Sequence, residues 1–240
     1  MILSSHQPGY LPWLGYFHKI ALSDNFVILD DVQFEKNSFI NRNKIKNSYG
    51  SIWLTVPVLI KGHTKKTIKE IEINNNINWK KKHWKSIYQN YKKAPYFYKY
   101  SDFFEELYKQ EWKKIIDLLI YTLYFFIKEL DIKTNIYQQS NLNITSSKQQ
   151  LILDLCKYFN SKLFIFGVLG KNYVDRDLFK KENIKVYFQE YKHPVYPQLW
   201  QDFIENLSII DLLFNVGKEK TKKIIMEGNI IKKDLQILIE

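Results

Sequence analysis

The sequence predicts an α/β fold with an open, mostly parallel sheet and a helical insertion, and three observations carry that expectation. Short apolar runs of strand length, Met1 to Leu3, Asn25 to Leu29, Leu163 to Phe166 and Ile184 to Phe188, alternate with segments of helical period. Strand, helix and strand follow one another within residues 1 to 29, which implies a βαβ unit with a right-handed crossover. From about Trp79 to Leu130 the period is helical throughout. The chain therefore reads as one domain over 1–240, with 79–130 a helical insertion or subdomain.

The first strand, Met1 to Leu3, runs into His6-Gln7-Pro8-Gly9-Tyr10-Leu11-Pro12-Trp13. Polar side chains thus reach the carboxyl edge of a strand, where open α/β sheets bind ligands. Two of the six prolines and two of the five histidines fall within residues 6–18, so this junction is built to hold an unusual backbone. Leu14, Phe17, Ile20 and Ala21 then mark a helix over Trp13 to Ser23, and the strand Asn25 to Leu29 ends in Asp30 and Asp31, on the same edge as His6. Asn41-Arg42-Asn43-Lys44 reads as a loop rich in amide and cationic donors. Residues 51–60 predict a strand whose Pro57 lies near an edge or bulge, and Lys66 to Ile73 alternates as a half-exposed strand.

In the helical block, Trp84, Ile87, Tyr88 and Tyr91 are spaced for one helix, Ala94-Pro95 breaks it, and Phe103 to Leu130 predicts a second, long helix. The aromatic stripe Tyr88, Tyr91, Tyr96, Phe97, Tyr98 and Tyr100 fits a core better than a base-stacking face. A polar connector at 138–143 leads to a helix over Ser147 to Phe159 with a Thr145/Ser146 cap. The strand Leu163 to Phe166, a helix over Tyr173 to Glu182 and the strand Ile184 to Phe188 follow. The loop Gly167 to Asn172 offers backbone NH groups and Lys171 to a phosphate, without the spacing of a Walker loop or a dinucleotide fingerprint. Leu207 to Val216 is an apolar helix with Asp211 embedded in it.

The net charge is +11, yet 34 of the 36 basic residues are lysine. That bias, with abundant Asn, Ile, Tyr and Phe, is what an AT-rich coding sequence produces, so nucleic acid is an unlikely partner. Against this background Arg42 and Arg176 stand out, because a guanidinium fork suits bidentate contact with a phosphate or carboxylate. Cys156, the single cysteine, sits in an apolar helix and reads as a buried thiol. The longest apolar stretch, Ile115 to Ile127, is interrupted by Asp117 and falls short of the roughly 20 residues that span a bilayer. With no membrane span and no leader, the expected location is cytoplasmic. Neither zinc-ligand spacing nor a Gly-x-Ser-x-Gly elbow is present.

The candidate site starts from His6 as phosphate ligand and proton donor, with Gln7, Tyr10 and Gln33 beside it. Asp30 and Asp31 are candidates to orient an amine or hold Mg²⁺, with Asp31 the metal ligand. Asn41, Arg42, Asn43, Lys44 and Lys171 supply donors for phosphates or sugar hydroxyls. His193 and Tyr196 form a further polar pair, whereas His18 and His63 read as structural or exposed.

Five separated segments carry a family resemblance: residues 6–17, 26–34, 41–46, 53–58 and 207–215, with Lys82-His83-Trp84 and the 188–198 stretch between them. In that order they resemble the WbqC family over nearly the whole chain. The resemblance implies a role in bacterial O-antigen or other surface-polysaccharide biosynthesis, and it marks His83 as a candidate general acid or base. Phe166 stands before Gly167 where the family pattern has a small hydroxyl residue. The opening is also similar, more distantly, to the nucleotidyltransferase superfamily that includes pantothenate synthetase, which binds ATP phosphates at a histidine-bearing first turn. The second histidine of that pattern is Gly9 here, so the two-histidine clamp is missing.

The function these readings imply is an enzyme that joins an amino acid or small acyl group, such as glycine, to the amine of a nucleotide-linked amino sugar. Its partners would be that sugar and an acyl donor, and its cofactors ATP and Mg²⁺ if the carboxyl group is activated in place. The alternatives are a non-catalytic nucleic-acid or glycan-binding module, or a nucleotidyltransferase. A homodimer is open to either class.

Overall fold

The structure, a computed structural model, describes residues 1–59, 61–62, 65–200 and 202–239. In chain order the elements are β1 (Ile2–His6), α1 (Leu14–Leu22), β2 (Asn25–Ile28), β3 (Arg42–Asn47) and β4 (Gly50–Thr55). Three helices follow, α2 (Trp79–Tyr91), α3 (Phe97–Lys109) and α4 (Ile115–Glu129), then β5 (Asn135–Gln138), α5 (Lys148–Tyr158) and β6 (Leu163–Gly167). The chain continues through α6 (Arg176–Lys181), β7 (Lys185–Gln189), α7 (Ile209–Met226) and α8 (Lys232–Ile237).

Five strands make one all-parallel sheet in the order β5-β2-β1-β6-β7, flanked by helices in a Rossmann-like α/β arrangement. β1 is central, and Ile2 to Ser5 are buried, as a parallel strand covered on both faces requires. Serines extend β1 beyond its apolar start because their buried polar atoms have partners: Ser4 Oγ meets Ser23 Oγ at 2.6 Å. From β1 the chain builds outward through β2 to β5, then crosses to β6 on the other side of β1. The strand order therefore reverses between β1 and β6, and the carboxyl ends of that pair carry His6 and Gly167.

The hairpin β3–β4 and helices α2 to α4 lie in the crossover between β2 and β5. Their apolar faces share one core with α1 and α7: Phe17 packs edge-on against Phe126 at 5.5 Å, and Phe104 against Phe214 at 5.3 Å. Tyr91, Phe97 and Tyr100 of the aromatic stripe are buried, while Tyr88, Tyr96 and Tyr98 remain exposed. Cys156 is buried, and burial pushes its thiol up to about 12.

Several elements differ from expectation for identifiable reasons. Arg42 to Lys44 is not a loop but the first half of a strand, paired residue by residue with 50–55. β4 ends before Pro57, and Ile60, the end of the predicted strand, lies outside the described residues, as does His63. Residues 66–73 form a 3₁₀ turn at Ile68–Glu70, closed where Thr67 N and Oγ1 donate to Glu70 Oε2 at 2.8 and 3.0 Å. The long helix at 103–130 divides because residues 113–115 hydrogen-bond to 71–73 instead of continuing it, with Ile115 N to Ile71 O at 3.0 Å. β5 escapes the hydrophobic pattern because Asn135-Ile136-Tyr137-Gln138 is half polar, as an edge strand can be. The tail helix is longer than predicted, turning at Gly217 (φ 75°), where a Cβ would fall 2.6 Å from the Tyr96 ring.

Candidate active site

A cavity of about 900 Å³ opens at the reversal point, between the carboxyl ends of β1, β6 and β7 and the first turns of α1. Its size suits a nucleotide or a drug-sized molecule. His6 and Gln7 come from the end of β1, Trp13, Gly15, Tyr16 and Lys19 from α1 and its approach, and Gly167 to Gly170 from the turn after β6. Gln189, Glu190, Tyr191 and Lys192 close it from β7. The 168–172 segment winds as a 3₁₀ helix that packs tightly, since a Cβ on Gly170 would fall 2.9 Å from Phe166 Cβ.

His6 meets the carbonyl of Gln7 through Nδ1 at 2.9 Å. A carbonyl only accepts, so Nδ1 carries the proton and Nε2 is the free lone pair. The ring stands edge-on to Tyr16 at 5.1 Å. Its pKa is pushed down to about 4, first by burial and then by the charge of Lys19, with the Gln7 bond opposing. Although protein surrounds the imidazole, solvent in the cavity reaches it. That contact softens the burial effect without reversing it, so His6 is neutral at neutral pH.

Lys19 is the feature of this site that the sequence reading missed. Its side chain is 4% exposed, Nζ donates to the Ser5 carbonyl at 2.8 Å, and burial pulls its pKa down to about 7. The available signal was a lysine one turn after Gly15 and Tyr16 on a short apolar helix, a position that faces the sheet rather than water. Between pH 7 and the ordinary lysine value of 10.5 the unfolded chain binds more protons than the native one. Lys19 therefore opposes folding fully below pH 7, and the penalty fades as pH rises toward 10.5. Lys19→Met should raise unfolding free energy by on the order of 2–4 kcal/mol at about pH 6 and change it little near pH 10. Urea titrations at the two pH values check this.

The other predicted residues are distributed away from the cavity. Asp30 is buried at the end of β2, where its carboxylate accepts from Ser140 N at 2.9 Å, Ser140 Oγ at 2.6 Å and Gln138 Nε2 at 3.3 Å. It ties β2 to the end of β5. Asp31 is paired with Lys69 at 2.8 Å. Neither carboxylate lines the cavity, and as placed neither fits a magnesium site there. Gln33 is exposed and bridges Thr67 through its backbone.

His83 donates from Nε2 to the Thr55 carbonyl at 3.1 Å, so Nδ1 accepts the Tyr10 hydroxyl at 2.8 Å. The Tyr10 oxygen in turn accepts from Tyr108 at 2.5 Å. Burial holds His83 down to about 4, and both its nitrogens are engaged: Nδ1 ties α2 to the turn after β1, where Tyr108 of α3 also bonds, and Nε2 ties α2 to the end of β4. His18 is also buried, between Gln189 Nε2 at 2.8 Å and the Ile230 carbonyl at 2.9 Å.

On the hairpin, Asn41 and Asn43 donate to the Val56 and Leu11 carbonyls at 2.9 and 2.6 Å. Arg42 and Lys44 instead flank the Trp53 ring, at 4.3 and 4.9 Å from its centroid. Lys171 pairs with Glu190 at the cavity rim. Arg176, which lies outside the cavity, stands over the Phe188 ring at 4.9 Å. His193 bonds the Pro194 carbonyl at 3.0 Å, and Tyr196 donates to buried Asp211 at 2.9 Å.

Of the sequence-predicted residues the cavity thus gathers His6 and Gln7, with Lys171 on its rim. Among the described residues no helix is long and apolar enough to cross a membrane, and no three His, Cys, Asp or Glu side chains group as metal ligands.

Residues 7–223 match the WbqC-like protein family. The chain is also similar to the uncharacterized protein Rv1507c of Mycobacterium tuberculosis (strain ATCC 25618 / H37Rv), 36% identical over 215 residues that cover 89% of this chain and 93% of that one. No solved structure matches the chain. A match from the turn after β1 to the last helical turns of α7 takes in the whole parallel sheet beyond β1 and most of the cavity lining, and on it the chain belongs to the WbqC-like protein family.

Proposed function

We propose that the protein is a transferase of polysaccharide biosynthesis that joins an amino acid or small acyl group to the amine of a nucleotide-linked amino sugar. Its family is associated with polysaccharide biosynthesis. The observation that carries the reaction type is His6: a neutral imidazole that lines a nucleotide-sized cavity, its tautomer set by the Gln7 carbonyl, with Nε2 bonded to no described residue. Acyl transfer to an amine needs a group of this kind. As the amine nitrogen bonds to the acyl carbon it becomes positively charged, and it must lose a proton before the leaving group departs.

In this reading Nε2 accepts that proton, the carbonyl oxygen collapses back to an amide, and the leaving group takes its electron pair away as phosphate or carrier thiolate. A free carboxylate is a poor electrophile at neutral pH, so the acyl group arrives activated, by ATP or on a carrier. Gln7 and the 167–170 turn line the same cavity and serve to hold the sugar nucleotide against His6.

The test is incubation with nucleotide-linked amino sugars, amino acids, ATP and acyl-carrier donors, read by mass spectrometry. The expected result is a sugar nucleotide heavier by one acyl group. AMP or ADP among the products would identify the activated route, and no mass gain with any donor would overturn the reading.

A further inference from the structure

An ammonium group carries three N–H donors. Lys19 Nζ uses one on the Ser5 carbonyl, and among the described residues no carboxylate stands within ion-pair distance of it. Such a group is costly to bury unless an anion completes it. The ionisable groups sharing the cavity are His6 at the end of β1, Tyr16 on α1, Glu35 after β2, Lys148 at the start of α5, Tyr173 before α6, and Glu190, Tyr191 and Lys192 after β7. Glu190 is already paired with Lys171, so three lysines stand against Glu35 and the lining is net positive. The place is the strand-order reversal of a parallel sheet, where such folds seat nucleotides.

We propose that Lys19 is the anion anchor of the cavity, its ammonium taking a phosphate oxygen of a nucleoside diphosphate while the complex takes up a proton from solvent. A multiply charged diphosphate suits several spread cations better than a lone carboxylate does, with Lys148 and Lys192 the further cations of the lining. The proton follows from the setting of the amine. Burial holds it down to about 7 when free, and an adjacent phosphate favours the charged form. The inference rests on the transferase reading only for the expectation that the bound substrate is nucleotide-linked.

The test is calorimetric titration of the full chain with ADP, UDP and dTDP at about pH 8, where their phosphates are ionised, in two buffers of different ionisation enthalpy. At least one nucleotide is expected to bind with uptake approaching one proton, and the uptake should shrink toward zero by about pH 6, where Lys19 is already charged. Lys19→Met, which removes an uncompensated buried charge and so should fold, is expected to bind about 10- to 100-fold more weakly. Lys19→Arg stays charged throughout and should bind without the proton, which decides the matter even if the methionine variant fails to fold. Binding of none of the three nucleotides, binding without proton uptake, or a folded Lys19→Met as tight as the wild type would each overturn the proposal. Acyl transfer is not measured, so a failure of the transferase reading leaves this result standing, and the reverse is equally true.

Discussion

His6→Ala is expected to lower acyl-transfer turnover by about 10²- to 10⁴-fold, the usual contribution of a positioned acid or base. The same substitution should change unfolding free energy by no more than about 1 kcal/mol. The two effects separate because the ring makes one hydrogen bond and one edge-on contact, with Tyr16, at a surface that solvent already reaches. A pH profile gives an independent signature. The imidazole of the free enzyme is held down to about 4, so the acid limb that His6 gives kcat/KM should lie near 4, separate from the titration of Lys19 at about 7, and should vanish in the alanine variant. An anion beside Lys19 would remove the second of the two causes that depress His6, so kcat should titrate at higher pH than kcat/KM. Full turnover in a folded alanine variant would remove His6 from the chemistry.

Asp211→Ala should cost about 3–5 kcal/mol of stability, the largest effect expected from a residue outside the cavity. Asp211 lies fully buried on α7, where its two oxygens accept from Tyr91 at 2.8 Å and Tyr196 at 2.9 Å. Tyr91 in turn receives the backbone N–H of Lys46 at 2.9 Å, so one carboxylate joins α2, β3, α7 and the segment after β7. Alanine strands two buried hydroxyls at once. Burial raises the Asp211 carboxyl to about 6 against the two tyrosine bonds and the charge of Lys46. Between the ordinary 3.8 and 6 the native state therefore binds more protons than the unfolded one. Stability from this group declines as pH rises through that window, and the alanine variant should lack that slope. Urea midpoints across about pH 4–7 measure both the loss and the slope.

The same pair of residues shows how far a linear reading reaches. His6 was legible because its signal is local: an apolar strand that ends in His-Gln-Pro-Gly marks a sheet edge wherever the rest of the chain goes. Asp211 was visible as an acid in an apolar helix, but the tyrosines that hold it come from 15 and 120 residues away. The aspartates after β2 show the opposite error. Asp30 and Asp31 do lie beyond the sheet edge, as the register of β1 with β2 requires. Ser140, from 110 residues on, occupies one, and Lys69 pairs with the other.

The division between helix and strand was similarly uneven. α1, β2, α5, β6 and β7 follow their hydrophobic period, whereas β3 and β5 are polar strands whose pairing partners, not their composition, make them strands. The predicted 103–130 helix gives way because backbone bonds to residues 71–73 outcompete helical propensity across 113–115.

By itself the sequence determined the class of fold, the parallel strands and the edge on which His6 and Gln7 stand, because periodicity, turn chemistry and burial of apolar runs are written in neighbouring residues. Only the tertiary structure decided which ionisable groups are free to act. Among the described residues it pairs Lys19 with no carboxylate, engages both nitrogens of His83, and leaves Nε2 of the cavity-lining His6 without a hydrogen-bond partner. The physical reason is that a side chain's charge state and its unused lone pairs depend on burial and on partners brought from distant parts of the chain. No local pattern encodes either.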